Sequence, residues 1–333
     1  MALSNNFPAN ETEEEKIRFL IKALDIKDNF KDITLKTLKG GITNSVELLT
    51  TPSQKYVIRV DGNNTDKIID RKREIENIQK IYFIHIYHIW NNGLAYSYQE
   101  GKTISVPMMS DPQISKQITI QLGQFHSKTI HEQHDNNIYK IINNFLNGLD
   151  PKWQGKDGKT VDIKSLNNIL TSLQTEYSKE ITNSKPVLCH NDLLAGNILW
   201  NGKTVSLLDY EYSDYTYPEF DIANHFFEWC GFECDLKRYP SIEQQKTFLT
   251  NYLRSLYGKE PDPKLVEEWR IRVEKLLRLS HLFWGTWAYF QSQNSTVTFP
   301  YYEYAKQRIL LINHSFPLKE GDPLLSGPLV KLD

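Results

Sequence analysis

Apolar positions recur along this chain with two different periods, and the change from one to the other divides it. Thr12 and Glu15 form a capping-box pattern, after which Ile17, Leu20, Ile21 and Leu24 repeat at helical spacing. Short alternating runs follow: 33–38, 46–51 after the polar stretch 39–45, and 56–60 after a Pro52-Ser53 turn. The polar patch Asp61–Asn64 reads as a loop, residues 68–82 as a helix and 94–98 as one more strand. From Asp111 onward the helical period dominates. Ile114, Ile118, Leu122 and Phe125 mark one helix, and Leu166, Ile169, Leu173 and Tyr177 another. Further helices are predicted at 220–229, 241–257, 263–293 and 301–312, the third with a break near Gly285. Lys156–Lys159 reads as an exposed turn, and the Pro-containing tail from Ser315 as irregular.

Composition narrows the picture mainly by exclusion. Of 333 residues, 40% are hydrophobic and 24% charged, which is ordinary for a globular chain. A net charge of −2 gives no electrostatic case for nucleic acid or an anionic membrane. No run reaches membrane-spanning length, and the first ten residues lack a signal-peptide pattern. Cys189, Cys230 and Cys234 suit neither a disulfide framework nor a zinc site, so a reducing, cytoplasmic setting is expected.

The densest chemistry lies in VLCHNDLLAGNILWNGKTVSLLDY, residues 187–210. His190, Asp192 and Asn197 follow H-x-D-x-x-x-x-N, the spacing of a kinase catalytic loop. Ile198–Trp200 and Thr204–Leu208 flank Asn201-Gly202-Lys203, a hairpin signal that brings Asn197 and Asp209 side by side. Two oxygen ligands there suit Mg2+, and Asp192 lies one loop upstream, within reach of a substrate hydroxyl. Asp192 is therefore the candidate base, Asn197 and Asp209 the candidate metal ligands, and His190 a structural member of the loop. Chance Asp and Asn pairs are common in loops; agreement of spacing, strands and hairpin is not.

The nucleotide side carries a weaker signal. Gly40, Gly41, Ile42, Thr43, Asn44 and Ser45 lie between two predicted strands, where glycine permits close backbone approach to phosphates. Tyr56-Val57-Ile58-Arg59 is similar to the V-A-I-K strand of protein kinases, with Arg in place of Lys. Glu74 on the following helix is the expected partner of Arg59.

Taken in order, GGITNS, IDRKREI, CHNDLLAGNIL, LDYEYS, FDIANHFFEW and the W-G-x-W pair at Trp284 and Trp287 resemble the choline/ethanolamine kinase family from about Lys39 to Arg308. The resemblance implies an α+β, protein-kinase-like bilobal fold: a small β-rich nucleotide-binding lobe over residues 1–98 and a large, mainly helical catalytic lobe over 99–333. It implies ATP and magnesium as cofactors, an amino alcohol as substrate and a homodimer as a family trait. Arg59, Glu74, the 40–45 loop, Ser97 at the hinge and Asp209 then match nucleotide contacts. Tyr212, Glu228, Trp284, Trp287, Phe299 and Tyr304, with Asp192, match the amino-alcohol site. Aromatic faces suit a quaternary ammonium, which cannot donate hydrogen bonds. FPYYEYA looks closer to the choline branch, so the expectation is phosphorylation of choline as the first step of phosphatidylcholine synthesis. Ethanolamine is the alternative. An aminoglycoside-type phosphotransferase is a more distant one, which would call for an acidic rather than aromatic pocket.

Overall fold

The computed structural model describes residues 6–38, 44–62, 70–81, 84–180 and 184–332. Their contacts divide the chain into two compact units, 1–100 and 101–333.

The first unit is built on one antiparallel sheet. Strands β1 (Thr34–Leu38), β2 (Asn44–Thr50), β3 (Lys55–Asp61), β4 (Ile86–Trp90) and β5 (Gly93–Ser97) are ordered β1-β2-β3-β5-β4. Helix α1 (Glu13–Ala23) starts with the expected capping box: Thr12 accepts from Glu15 N and the Glu15 carboxylate accepts from Thr12 N. Its Ile17 and Leu20 join Phe7, Leu49, Ile58 and Trp90 in the core of this unit. Helix α2 (Arg71–Gln79) is capped by Asp70, which accepts from Arg73 N. Strand β4 and the sheet edge it forms were not among the expected elements; its two-residue turn at Asn91-Asn92 places β5 centrally, where Leu94 and Ala95 are buried.

The second unit is mainly helical: α3 (Pro112–Ser127), α4 (Ile138–Asn147), α5 (Ile163–Glu180), α6 (Pro218–Glu228), α7 (Ile242–Tyr257), α8 (Pro263–Asn294) and α9 (Tyr301–Leu311). Short strands β6 (Lys102–Thr103), β7 (Val187–Cys189), β8 (Ile198–Trp200), β9 (Val205–Leu207) and β10 (Asp214–Thr216) form a β6-β8-β9 sheet and a β7-β10 pair. Every residue of α6 is buried, and its main helical neighbour is α8.

Two expectations fail here. Helix α4 lies in an Asn-rich stretch with no predicted element, yet Ile138, Ile141, Ile142, Phe145 and Leu146 form one buried face. The predicted break at Gly285 is absent, and α8 runs unbroken for 32 residues. Gly285 instead admits α9: a Cβ there would stand 2.6 Å from Ile309 Cδ1 and 3.5 Å from Arg308 Cβ. No described helix is long and apolar enough to cross a membrane.

Candidate active site

The loop between β7 and β8 is held by its backbone. Asp221, inside α6, accepts from His190 N (2.7 Å) and Asn191 N (2.8 Å), and its Oδ2 also accepts from His126 Nε2 (3.0 Å). Burial by itself would push the Asp221 carboxyl up; the His126 hydrogen bond, the nearby imidazoles and the backbone donors outweigh it and hold the group below its usual range. Tyr252 completes the brace by donating to His126 Nδ1 (2.8 Å). His126, Cys189 and Asp221 have metal-like spacing, but the imidazole and carboxylate are engaged with each other and with the loop, and burial pushes the thiol well up. They are core. His190 has the structural role expected of it: its Nε2 donates to Leu208 O (2.8 Å) while Nδ1 accepts from Asp192 N (3.3 Å).

The hairpin brings its two ends together. Leu208 N donates to Asn197 O (2.8 Å), which sets Asp209 beside Asn197. Asn197 Nδ2 donates to both Asp192 Oδ2 (2.9 Å) and Asp192 O (2.8 Å). This turns the side-chain carbonyl of Asn197 away from Asp192. Asn191 (φ 65°) and Asp209 (φ 59°) both occupy the left-handed region, which Asn and Asp tolerate better than most residues. Burial raises the Asp192 carboxyl well above its usual range, and the carboxylates of Asp209, Glu228 and Glu211 add to this, while the Asn197 hydrogen bond opposes it. The centre thus gathers several carboxylates around Asp192. Hard oxygen donors of this kind fit a magnesium ion, with Asn197 and Asp209 as the residues that would hold it.

A chain of rings lies on α8, α9 and the segments before α6 and after it. Tyr212 meets Trp284 (5.4 Å between centroids) and Trp287 (6.4 Å), and its OH accepts from Trp287 Nε1 (2.7 Å). Trp287 meets Tyr301 (5.6 Å), Tyr301 meets Phe299 (4.8 Å), and Phe299 meets Tyr304 (5.8 Å). Trp284 Nε1 is buried with no hydrogen-bond acceptor among the described residues. Glu228, at the end of α6, lies 3.8 Å from Arg308 of α9; burial pushes its carboxyl up to about 7, against the pull of Arg308. The structure therefore brings Tyr212, Trp284, Trp287, Phe299, Tyr304 and Glu228 into one connected group. Three of its members were not assigned to the site from the sequence: Tyr301, Arg308 and Phe232, which packs on Phe299 (5.2 Å) and Tyr304 (6.1 Å). Arg308 lies four residues after Tyr304, a spacing that puts both on one helix face and was the available signal. Phe232 follows α6 in a turn, where no periodicity announces it.

In the first unit Arg59 and Glu74 form the expected pair. Both are buried; Arg59 Nη1 bonds Glu74 Oε1, and Nη2 donates to Glu74 Oε2 (2.9 Å). Burial opposes the charge on each, but their mutual attraction keeps the arginine raised and the carboxyl lowered. Arg59 Nη2 also donates to Asp61 Oδ1 (3.1 Å), so its fork is engaged by carboxylates rather than held open. Arg71 joins this group, donating to Glu74 Oε2 (2.9 Å) and to Asn44 Oδ1 (3.0 Å). Ser45 follows Asn44 on β2, and Ser97 Oγ accepts from His85 N (3.0 Å) at the end of β5. Gly40, Gly41, Ile42 and Thr43 lie outside the described residues.

A sheet-based unit followed by a helical unit carrying this loop and hairpin defines a protein-kinase-like fold. The profile of the family described as choline/ethanolamine kinase matches residues 35–313, and the chain belongs to that family. It is 33% identical over 294 residues to a probable ethanolamine kinase A of Dictyostelium discoideum, covering 84% of each chain. To ethanolamine kinase 1 of Homo sapiens it is 32% identical over 323 residues, 90% of this chain and 70% of that one. Among solved structures, a Plasmodium vivax ethanolamine kinase superposes with a TM-score of 0.75 at 26% identity, over 92% of this chain and 95% of that one. Kinase chemistry with ATP as donor follows from the family.

Proposed function

We propose that this protein phosphorylates ethanolamine, using ATP and magnesium. The observation that carries the choice is the naming of the relatives above as ethanolamine kinases across most of the chain. It favours the alternative over the choline expectation drawn from FPYYEYA. The chemistry of the pocket supports it. A primary ammonium needs acceptors as well as π-faces, and Glu228 supplies a carboxylate near Tyr304.

In this reading Asp192 hydrogen-bonds the substrate hydroxyl and takes its proton as the oxygen attacks the γ-phosphorus of ATP. The new O–P bond forms as the bond to the β-phosphate oxygen breaks, leaving ADP and phosphoethanolamine. Asn197 fixes the Asp192 rotamer through its amide nitrogen. Asn197 and Asp209 would hold magnesium, whose charge neutralises the phosphates when bound. Arg59, positioned by Glu74, with Asn44, Ser45, residues 40–43 and Ser97, is assigned to the nucleotide. Tyr212, Glu228, Trp284, Trp287, Phe299 and Tyr304 are assigned to the amino alcohol.

Choline is a second reading with an observation of its own, since a wall of Tyr and Trp faces is also what a quaternary ammonium requires. Following product by 31P NMR with ATP, magnesium and ethanolamine tests the proposal. Appearance of phosphoethanolamine with stoichiometric ADP supports it, and ADP release that ethanolamine fails to stimulate overturns it.

A further inference from the structure

Arg308 is a fully buried cation that none of the expected functions uses. Its Nη1 donates to the Tyr304 hydroxyl (2.9 Å) and lies 3.8 Å from Glu228 Oε1; its Nη2 donates to Ser280 O (3.0 Å) and Ser280 Oγ (2.9 Å). The guanidinium carbon stands 4.3 Å from the Phe227 ring centroid. Beyond it the contacts continue. Ser280 Oγ donates to Asn224 Oδ1, and Asn224 Nδ2 donates to Asn191 O (3.1 Å), the residue before Asp192.

Burying a guanidinium is costly, and a well-packed apolar residue of similar volume often serves stability as well or better. A stability role alone therefore explains this arginine poorly. Its planar fork reaches acceptors in different directions at once, which lysine cannot do. Here those directions lead to one pocket wall, Tyr304, to one pocket carboxylate, Glu228, and to the backbone of the catalytic loop.

We infer that Arg308 is a positioning residue for the amino-alcohol site: it holds Tyr304 and Glu228 in place and registers α6, α8 and α9 against Asn191, next to Asp192. The inference rests on the reading of that pocket as the amino-alcohol site. Arg308 also pulls the Glu228 carboxyl down against the effect of burial. Among the described residues, the other titratable groups facing Glu228 are Asp192 from the loop, Tyr304 from α9, and Cys230 and Cys234 from the turn after α6; none of these is a cation. Without Arg308 that pull is gone, burial shifts the Glu228 carboxyl further up, and the ammonium's counter-charge weakens at neutral pH.

The test is steady-state kinetics of Arg308→Met, Arg308→Gln and Arg308→Lys beside the wild type, between about pH 6 and 9, with thermal unfolding as a check of fold. The ethanolamine KM of Arg308→Met is expected to rise by about tenfold or more at neutral pH and to recover as pH is raised, while the ATP KM stays within about twofold. Arg308→Lys keeps a charge beside Glu228 but not the fork, so it recovers part of the loss; Arg308→Gln recovers none, and Gln carries the comparison if Met does not fold. An unchanged ethanolamine KM in a folded Met or Gln variant overturns the inference. So does a parallel loss in both substrates that Lys fails to rescue, or failure of all three variants to fold, since each marks a structural role. A wild type that phosphorylates neither ethanolamine nor choline overturns the proposed function itself, and the inference with it.

Discussion

Asp192 sits where three residues decide what it can do: Asn191 before it, Asn197 across the loop and Asp209 at the end of the hairpin. Asn191 and Asp209 adopt left-handed backbone, so the turns that aim this group are held in conformations costing roughly 1 kcal/mol or more for an ordinary side chain. That decides how the group is best tested. Asp192→Asn keeps the shape and removes the base; kcat should fall about 10²–10⁴-fold with ATP binding retained, measured by turnover and nucleotide titration. Asp209→Asn tolerates the left-handed backbone where Ala would not, and removes only charge. Its turnover should collapse and be poorly recovered by added magnesium, and an unchanged magnesium dependence would exclude Asp209 as a ligand. Glu228 gives a pH signature. With its carboxyl pushed up to about 7, the charged form is present above that pH and is lost as pH falls through it. A primary amine of lysine type stays protonated throughout this range. The ethanolamine KM should therefore rise from about pH 8 to pH 6, and Glu228→Gln should flatten that rise. The triplet Asp192, Asn197 and Asp209 was legible because its spacing is local. The charge around it was not, since Glu228 and Glu211 come to Asp192 only through folding.

Helices α8 and α9 carry most of the aromatic group, and their approach depends on Gly285. The sequence suggested a break there, because glycine in a long helix weakens it. What it could not show was that Ile309 fills the missing side chain's place. Gly285→Val should force the helices apart, lower stability by about 1–3 kcal/mol and raise the ethanolamine KM more than the ATP KM, read from denaturant unfolding and kinetics. Equal effects on both substrates would separate the α8–α9 contact from the amino-alcohol site. Helix α4 shows the opposite failure. Its apolar face is regular, but five Asn residues between 136 and 147 read as turn formers, and burial against α8 overrides that preference. The hairpin at 198–207 was readable for a local reason: Asn201 accepts from Lys203 N and Thr204 N and closes the turn without tertiary help.

In the proposed reading, the phosphoryl-transfer centre lies in one 24-residue stretch, while the residues assigned to substrate choice are distributed over α6, α8, α9 and the segments between them. This is why the class of reaction and the family could be read from the sequence, and why the amino alcohol could not. Choline and ethanolamine share the aromatic wall and differ in whether the ammonium donates hydrogen bonds, so the answer turns on Glu228 and the groups that hold it. The central claim, that this protein is an ethanolamine kinase, is tested most directly by competition. The wild type is given ATP, magnesium and an equimolar mixture of ethanolamine and choline, and the two phosphorylated products are measured at low conversion, where their ratio equals the ratio of kcat/KM. The account predicts that phosphoethanolamine predominates by about tenfold or more, the scale of one lost charged hydrogen bond. A product mixture dominated by phosphocholine would contradict it.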